Sequence, residues 1–133
     1  MHVLLIDDDT LIHQVVSVFL ERYGKEHDIE MVIKAVHDPV QGLLELSGNG
    51  DIYDLILLDL RLPKLSGDDI YRSIAKNAPH LMKAIVFITA SPDKLHARLP
   101  NKDLRVLGKP FRYEVFEFHV GDICRGLSAG EAT

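Results

Sequence analysis

The sequence predicts an α/β domain built on a doubly wound, five-stranded parallel sheet with helices on both faces. Three observations predict it. Short apolar runs alternate with longer segments whose apolar residues recur at helical spacing, the pattern of successive β-α units. The runs Val3-Leu4-Leu5-Ile6 and Leu55-Ile56-Leu57-Leu58 are apolar at every position, as strands covered on both faces must be. The length of 133 residues, 47% hydrophobic and 26% charged, suits one folding unit with a compact core, neither two domains nor a disordered chain.

Each element follows from local chemistry. The first strand is expected over His2 to Asp7. In the helix after it, Asp9 or Thr10 can cap the free amides of the first turn, Leu11, Val15, Val18 or Phe19, and Tyr23 form the inner stripe, and Gly24 is the stop. Ile29 to Val36 reads as a second strand, placed at the sheet edge because Glu30 and Lys34 interrupt it. Pro39 suits the first turn of a short helix to Leu46, carrying Leu43, Leu44 and Leu46, weakened by Gly42 and closed by Ser47-Gly48-Asn49-Gly50-Asp51. Leu55 to Asp59 is a buried strand ending on a carboxylate, followed by a Pro63 to Gly67 turn and a helix to Asn77. The remaining elements are a strand over Ala84 to Thr89, a short helix over Asp93 to Leu99, a strand over Leu104 to Leu107 and a helix over Arg112 to Arg125. Phe116, Val120, Ile123 and Leu127 mark the inner face of that last helix. Residues 1–126 form the domain, and 127–133 are a small, polar tail expected to fray from Ser128 onward.

Charge and cysteine content exclude several classes. Fifteen Lys and Arg against twenty Asp and Glu leave a net charge of −5, which argues against a general binder of nucleic acid or of anionic membranes. The single cysteine, Cys124, can form no internal disulfide and is expected to be a buried helix residue rather than a redox sensor. The opening apolar run is too short for a signal peptide and no later stretch approaches a membrane span, so a cytoplasmic location is expected.

A doubly wound sheet binds its ligands beyond the carboxyl ends of its strands. Those ends carry Asp7 and Asp8 after the first strand, Asp59 at the third, Thr89 at the fourth and Lys109 just past the fifth. Singly, each has an ordinary explanation as a cap, turn or surface charge. Together they converge. Carboxylates that meet in one pocket repel unless one binds a proton or a cation sits among them, and an all-oxygen site with room for water suits Mg²⁺. Lys109 then adds a compact positive charge and the Thr89 hydroxyl a hydrogen bond, which makes a phosphoryl site where a carboxylate is itself the nucleophile. The seven histidines show no metal-ligand spacing, and no Gly-rich phosphate loop is present.

These segments resemble the response-regulator receiver domains of two-component signalling, typified by the chemotaxis regulator. The resemblance covers about residues 2–126. It rests on Val3 to Asp9, on Leu55 to Pro63 with Gly67, on Val86-Phe87-Ile88-Thr89-Ala90, and on Gly108-Lys109-Pro110-Phe111, in order and at suitable spacing. It implies a flavodoxin-like fold with strand order 2-1-3-4-5. It implies that Asp59 accepts a phosphoryl group from a phosphohistidine on a sensor histidine kinase or histidine phosphotransfer protein. Asp8, Asp59 and the main-chain carbonyl of Arg61 would hold Mg²⁺ directly, Asp7 would help through water, and Thr89 and Lys109 would contact the phosphoryl oxygens. The Lys109-Pro110 bond would be cis. Such a domain is regulatory. It catalyses only its own phosphorylation and dephosphorylation, and it signals through a changed surface to a downstream protein, with a homodimer as a further option.

Two departures bear on output. Val106 stands where the family usually has an aromatic residue, three positions before Lys109, so a rotating ring cannot report the switch. Leu99-Pro100-Asn101-Lys102-Asp103 lacks the usual Gly-Ala, which makes the surface around the fourth helix atypical. Arg61 and Ser91, two residues past Asp59 and Thr89, flank the pocket and are expected to tune phosphoryl lifetime. Phe118, off the main inner stripe, is a candidate contact for a partner or second copy, but an ordinary packing role is the expectation. One alternative is a haloacid-dehalogenase-like phosphatase using Asp7, opposed by Leu11 where that motif has Thr, by the lack of room for a cap domain and by an unexplained Asp59 to Gly67 segment. The other is a receiver-like binding module independent of phosphorylation, opposed by the complete polar set.

Overall fold

A computed structural model describes residues 1–61, 65–100 and 103–132, the side chains of 127–132 excepted. Its strands are β1 (His2–Ile6), β2 (Val32–Val36), β3 (Leu55–Asp59), β4 (Ile85–Thr89) and β5 (Arg105–Gly108). All pair in parallel, in the order β2-β1-β3-β4-β5, so the expected topology is the observed one. The helices are α1 (Thr10–His27), α2 (Pro39–Asn49), α3 (Gly67–Asn77), α4 (Pro92–Arg98) and α5 (Tyr113–Ala132).

Strand alternation divides the core in two. Leu4, Ile6, Ile56, Leu58, Ile85 and Phe87 point to one face, where Leu46, Ile70, Ile74 and Leu95 from α2, α3 and α4 cover them. Val3, Leu5, Leu55, Leu57, Val86 and Ile88 point to the other, under Val16 and Leu20 of α1 and Phe116, Val120 and Ile123 of α5. This explains why β1 and β3 are apolar throughout: each successive residue enters a different core. Truncating one of these side chains, as in Leu57→Ala, costs about 3 kcal/mol by the usual scale for buried leucines.

Several elements differ from expectation for identifiable reasons. The inner stripe of α1 is His13, Val16, Leu20 and Tyr23, while Leu11 and Val18 are each 62% exposed. Of the expected stripe, Tyr23 is buried and Phe19 packs against the core, whereas Leu11 and Val18 lie on the outer face. Gly24 does not stop α1, because Asp28 ends it in the left-handed conformation at φ 54°. Gly24 is needed for a close approach instead, since a Cβ there would lie 2.6 Å from the Ile29 carbonyl oxygen. α2 runs on through Ser47-Gly48 to Asn49 with Leu44 turned to solvent. β2 begins at Val32 rather than Ile29 and lies at the edge as expected. Pro63 of the expected turn, Asn101 and Lys102 of the segment before β5, and the side chain of Leu127 lie outside the described residues, as do the side chains of the tail. Among the described residues no helix is long and apolar enough to cross a membrane.

Candidate functional site

The carboxyl ends of β1, β3, β4 and β5 form the site. Asp7 follows β1 and is fully buried, and its amide donates to the Val36 carbonyl at 3.2 Å, which anchors the loop to β2. Its Oδ1 accepts from the Asp9 amide at 2.8 Å, and Asp9 caps α1 by accepting from the Leu11 amide at 2.9 Å. Asp59 ends β3, 4% exposed, with Oδ1 accepting from the Arg61 amide at 3.2 Å. The chain leaving Asp59 is packed so tightly against α3 that a Cβ on Gly67 would stand 2.4 Å from the Asp59 carbonyl oxygen, so glycine is required there. Asp8 is exposed.

One carboxylate oxygen from each of Asp7, Asp8 and Asp59 lies within 4.8 Å of the others. Lys109 reaches in from beyond β5, its Nζ 3.2 Å from Asp7 Oδ2 and 3.6 Å from Asp59 Oδ1. The Lys109-Pro110 bond is cis. Burial, then the negative charge of Asp7, pushes the Asp59 carboxyl up to about 7, against the opposing pull of the Lys109 ammonium and the Arg61 amide. Negative charge is thus in excess around Asp59 despite Lys109. Three converging carboxylate oxygens with that excess fit a hard divalent cation, Mg²⁺ above all where waters complete the shell.

Thr89 ends β4 almost fully buried; its hydroxyl oxygen accepts from the Ser91 amide at 2.9 Å, and its carbonyl accepts from the Lys109 amide at 2.7 Å. It therefore ties the start of α4 to the pocket. Arg61 Nη2 donates to Ser91 Oγ at 3.2 Å, a link between the two residues expected to flank the pocket. The structure thus gathers Asp7, Asp8, Asp59, Arg61, Thr89 and Lys109 at one sheet edge.

Sequence reasoning missed two neighbours. His13, on the buried side of α1, places Nε2 2.6 Å from the Asp7 carbonyl oxygen. Asp68, 5% exposed in the first turn of α3, takes Arg72 Nη1 at 2.9 Å and Arg98 Nη1 at 3.2 Å. The Asp68/Arg72 spacing of four was a readable signal; the partnership with Arg98 on α4 was not.

The family model for the response regulator receiver domain matches residues 3–116. The chain belongs to this family. It is 35% identical over 112 residues to the aerobic respiration control sensor protein ArcB of Escherichia coli, covering 83% of this chain and 13% of that protein. It is 34% identical over 91 residues to the response regulator ArlR of Staphylococcus saprophyticus, covering 68% of this chain and 36% of that one. The receiver thus corresponds to a minor part of each of these relatives. Among solved structures, a response regulator receiver domain protein from Clostridium thermocellum superposes with a TM-score of 0.79 at 24% identity, over 96% of this chain and 97% of that one. The chemotaxis protein CheY4 of Vibrio cholerae superposes with a TM-score of 0.73 at 22% identity, over 92% and 97%. A receiver of two-component signalling is a regulatory domain, and accepting a phosphoryl group is the general role of its family.

Val106, in place of the usual aromatic, pairs with Phe87 of β4 and packs, half-buried, toward the α2-α3-α4 core. Phe118 is 62% exposed, so the packing role is overturned: its position on α5 turns it away from both cores.

Proposed function

We propose that this receiver accepts a phosphoryl group on Asp59 from a phosphohistidine of a sensor histidine kinase or histidine phosphotransfer protein, with Mg²⁺ bound by Asp8, Asp59 and the Arg61 carbonyl and by Asp7 through water. The observation that carries the reading is the convergence of three carboxylate oxygens within 4.8 Å beside the Lys109 ammonium. Bound Mg²⁺ supplies neutralising charge for the carboxylates and for the incoming phosphoryl oxygens.

An oxygen of Asp59 attacks phosphorus, the P–N bond to the donor imidazole breaks, and that nitrogen keeps the electron pair and takes a proton from solvent. Asp59 becomes an acyl phosphate. Lys109, held between Asp7 and Asp59, turns its charge to the new phosphoryl oxygens. The Thr89 hydroxyl, now accepting from the Ser91 amide, has its own proton free to donate to the same group. Moving Thr89 inward breaks its bond to Ser91 and releases the start of α4, which offers a route to a changed surface without an aromatic at position 106. The phosphatase alternative needs Asp7 as nucleophile, yet Asp7 Oδ1 holds the Asp9 amide and Oδ2 faces Lys109.

The donor must approach over the first turn of α1, beside Asp7 to Asp9. There Leu11 and Val18 expose apolar surface on the solvent side of α1, which suits a helical phosphohistidine partner. The downstream target is a protein, with a second copy of the receiver as the other candidate for the Phe118 surface; neither direct nucleic-acid binding nor membrane binding is part of the reading, and the setting is cytoplasmic.

Incubation with acetyl phosphate, with and without Mg²⁺, followed by mass spectrometry of the intact protein and of Asp59→Asn, tests the assignment. The expected result is one Mg²⁺-dependent phosphoryl adduct that the substitution abolishes. Labelling without metal, or labelling that survives the substitution, contradicts it.

A further inference from the structure

We infer that His13 is a positioning residue for the acidic cluster, holding the backbone of Asp7 in place through its ring N–H so that the carboxylates stay gathered for the cation. The inference rests on the Mg²⁺-dependent phosphoacceptor reading above and adds a residue to it.

The geometry has three parts. His13 is 8% exposed on the inner side of α1, and its Nε2 lies 2.6 Å from the Asp7 carbonyl oxygen. A carbonyl only accepts, so Nε2 carries the hydrogen and the tautomer is fixed. The His13 ring is itself held by His37, just past β2, with centroids 4.0 Å apart and planes within 7°. Finally, the Asp7 amide is tied to the Val36 carbonyl at 3.2 Å, so the peptide units on both sides of the Asp7 Cα are fixed, one by β2 and one by His13.

The consequence is mechanical. Asp7 and Asp8 are adjacent, both face Asp59, and their mutual repulsion favours peeling the loop away from the sheet. A buried carbonyl without a partner would favour the same movement, since it would seek water. His13 removes that incentive. It does so without touching a carboxylate, so neither the metal nor the phosphoryl group contacts it. Groups that orient the ligands of a metal in this indirect way typically contribute about tenfold or more to its affinity.

Two amide side chains separate reach from polarity. In His13→Gln the amide nitrogen takes the place of Nε2 and keeps the donor. In His13→Asn the nitrogen falls near Nδ1, too short to reach the Asp7 carbonyl. Calorimetric titration of each full-length variant with Mg²⁺ alone should give His13→Gln within about twofold of the wild type and His13→Asn weaker by about tenfold. His37→Ala keeps donor and acceptor and should fall between them. The wild type should also show, in nitrogen-15 spectra, a His13 ring protonated at Nε2 with coupling to the Asp7 carbonyl across the hydrogen bond. Equal Mg²⁺ affinities for the Asn and Gln variants, or a His13 ring protonated at Nδ1 alone, would overturn the inference, and the spectrum decides it even where a variant fails to fold. A wild type that binds no Mg²⁺ defeats the underlying reading instead, whereas a wild type that binds it and an Asn variant that binds equally well defeat His13 alone.

Discussion

Two buried aspartates, one ending β3 and one in the first turn of α3, have opposite electrostatic surroundings. Asp59 shares Lys109 with Asp7 and stands beside Asp8, and its carboxyl is pushed up by burial and by Asp7. Asp68, nine residues on, faces the guanidinium groups of Arg72 and Arg98. Burial raises its carboxyl too, but hydrogen bonds from the Ser66 hydroxyl, Arg72, its own backbone amide and Arg98 outweigh that and hold it below the ordinary carboxylate range. Burial is common to both, and the partners decide the sign. At Asp68 the charge serves the fold, joining α3 to α4, and Arg72 Nη2 adds a bond to the Arg98 carbonyl at 2.9 Å. At Asp59 burial beside Asp7 sets the charge against the fold, and the proposed function gives that charge its use.

The sharpest way to break this comparison is to neutralise each group in turn and follow urea unfolding. Asp59→Asn should stabilise the metal-free protein at pH 7 by about 3 kcal/mol, since the wild-type carboxyl is held far above its ordinary range. Asp68→Asn should destabilise it by about 2 kcal/mol, less than a fully buried pair would give because Arg72 and Arg98 are roughly half exposed. A loss at Asp59 or a gain at Asp68 would undo the contrast.

pH sharpens it further. The folded-state pKa of Asp59 lies above its unfolded value, so its favourable contribution is complete near pH 4 and is lost as pH rises through about 7. Asp68 is depressed in the folded state, so its contribution is present above its unfolded pKa of about 4 and is lost as pH falls below that. Stability measured from pH 3 to 8 should therefore lose its neutral-side decline in Asp59→Asn and part of its acid-side decline in Asp68→Asn. The smallest expected effect concerns the Arg61 to Ser91 hydrogen bond at 3.2 Å, which joins the segments that leave β3 and β4. Replacing both residues with Ala should open Asp59 to water and speed loss of the phosphoryl group by about threefold, the value of one exposed hydrogen bond. An unchanged dephosphorylation rate would remove these residues from control of phosphoryl lifetime.

The same contrast shows what the sequence could disclose. Asp7, Asp8, Asp59, Thr89 and Lys109 were legible because each ends a strand and parallel strands bring their carboxyl ends to one edge. The strand order followed from the family likeness, and the edge position of β2 from Glu30 and Lys34. The inner face of α1 was misread in part because Leu11 and Val18 are apolar yet face solvent, while a histidine sits in the buried stripe. His13 stayed invisible because its partner is a backbone carbonyl, which has no sequence signature. Gly24 and Gly67 share a residue type but not a reason obvious from spacing: one admits the Ile29 carbonyl, the other the exit from β3. The Asp68 to Arg98 link bridges thirty positions between helices whose relative placement only the packed fold defines.

On the proposed function, excess negative charge at Asp59 destabilises the fold until a divalent cation joins it. Urea unfolding of the wild type and of Asp59→Asn, each across a Mg²⁺ titration at pH 7, tests it most directly. The wild type should begin less stable and rise with Mg²⁺ toward the variant, which should respond far less. Equal stability of the two proteins without metal, together with a wild type that gains nothing from Mg²⁺, would contradict it.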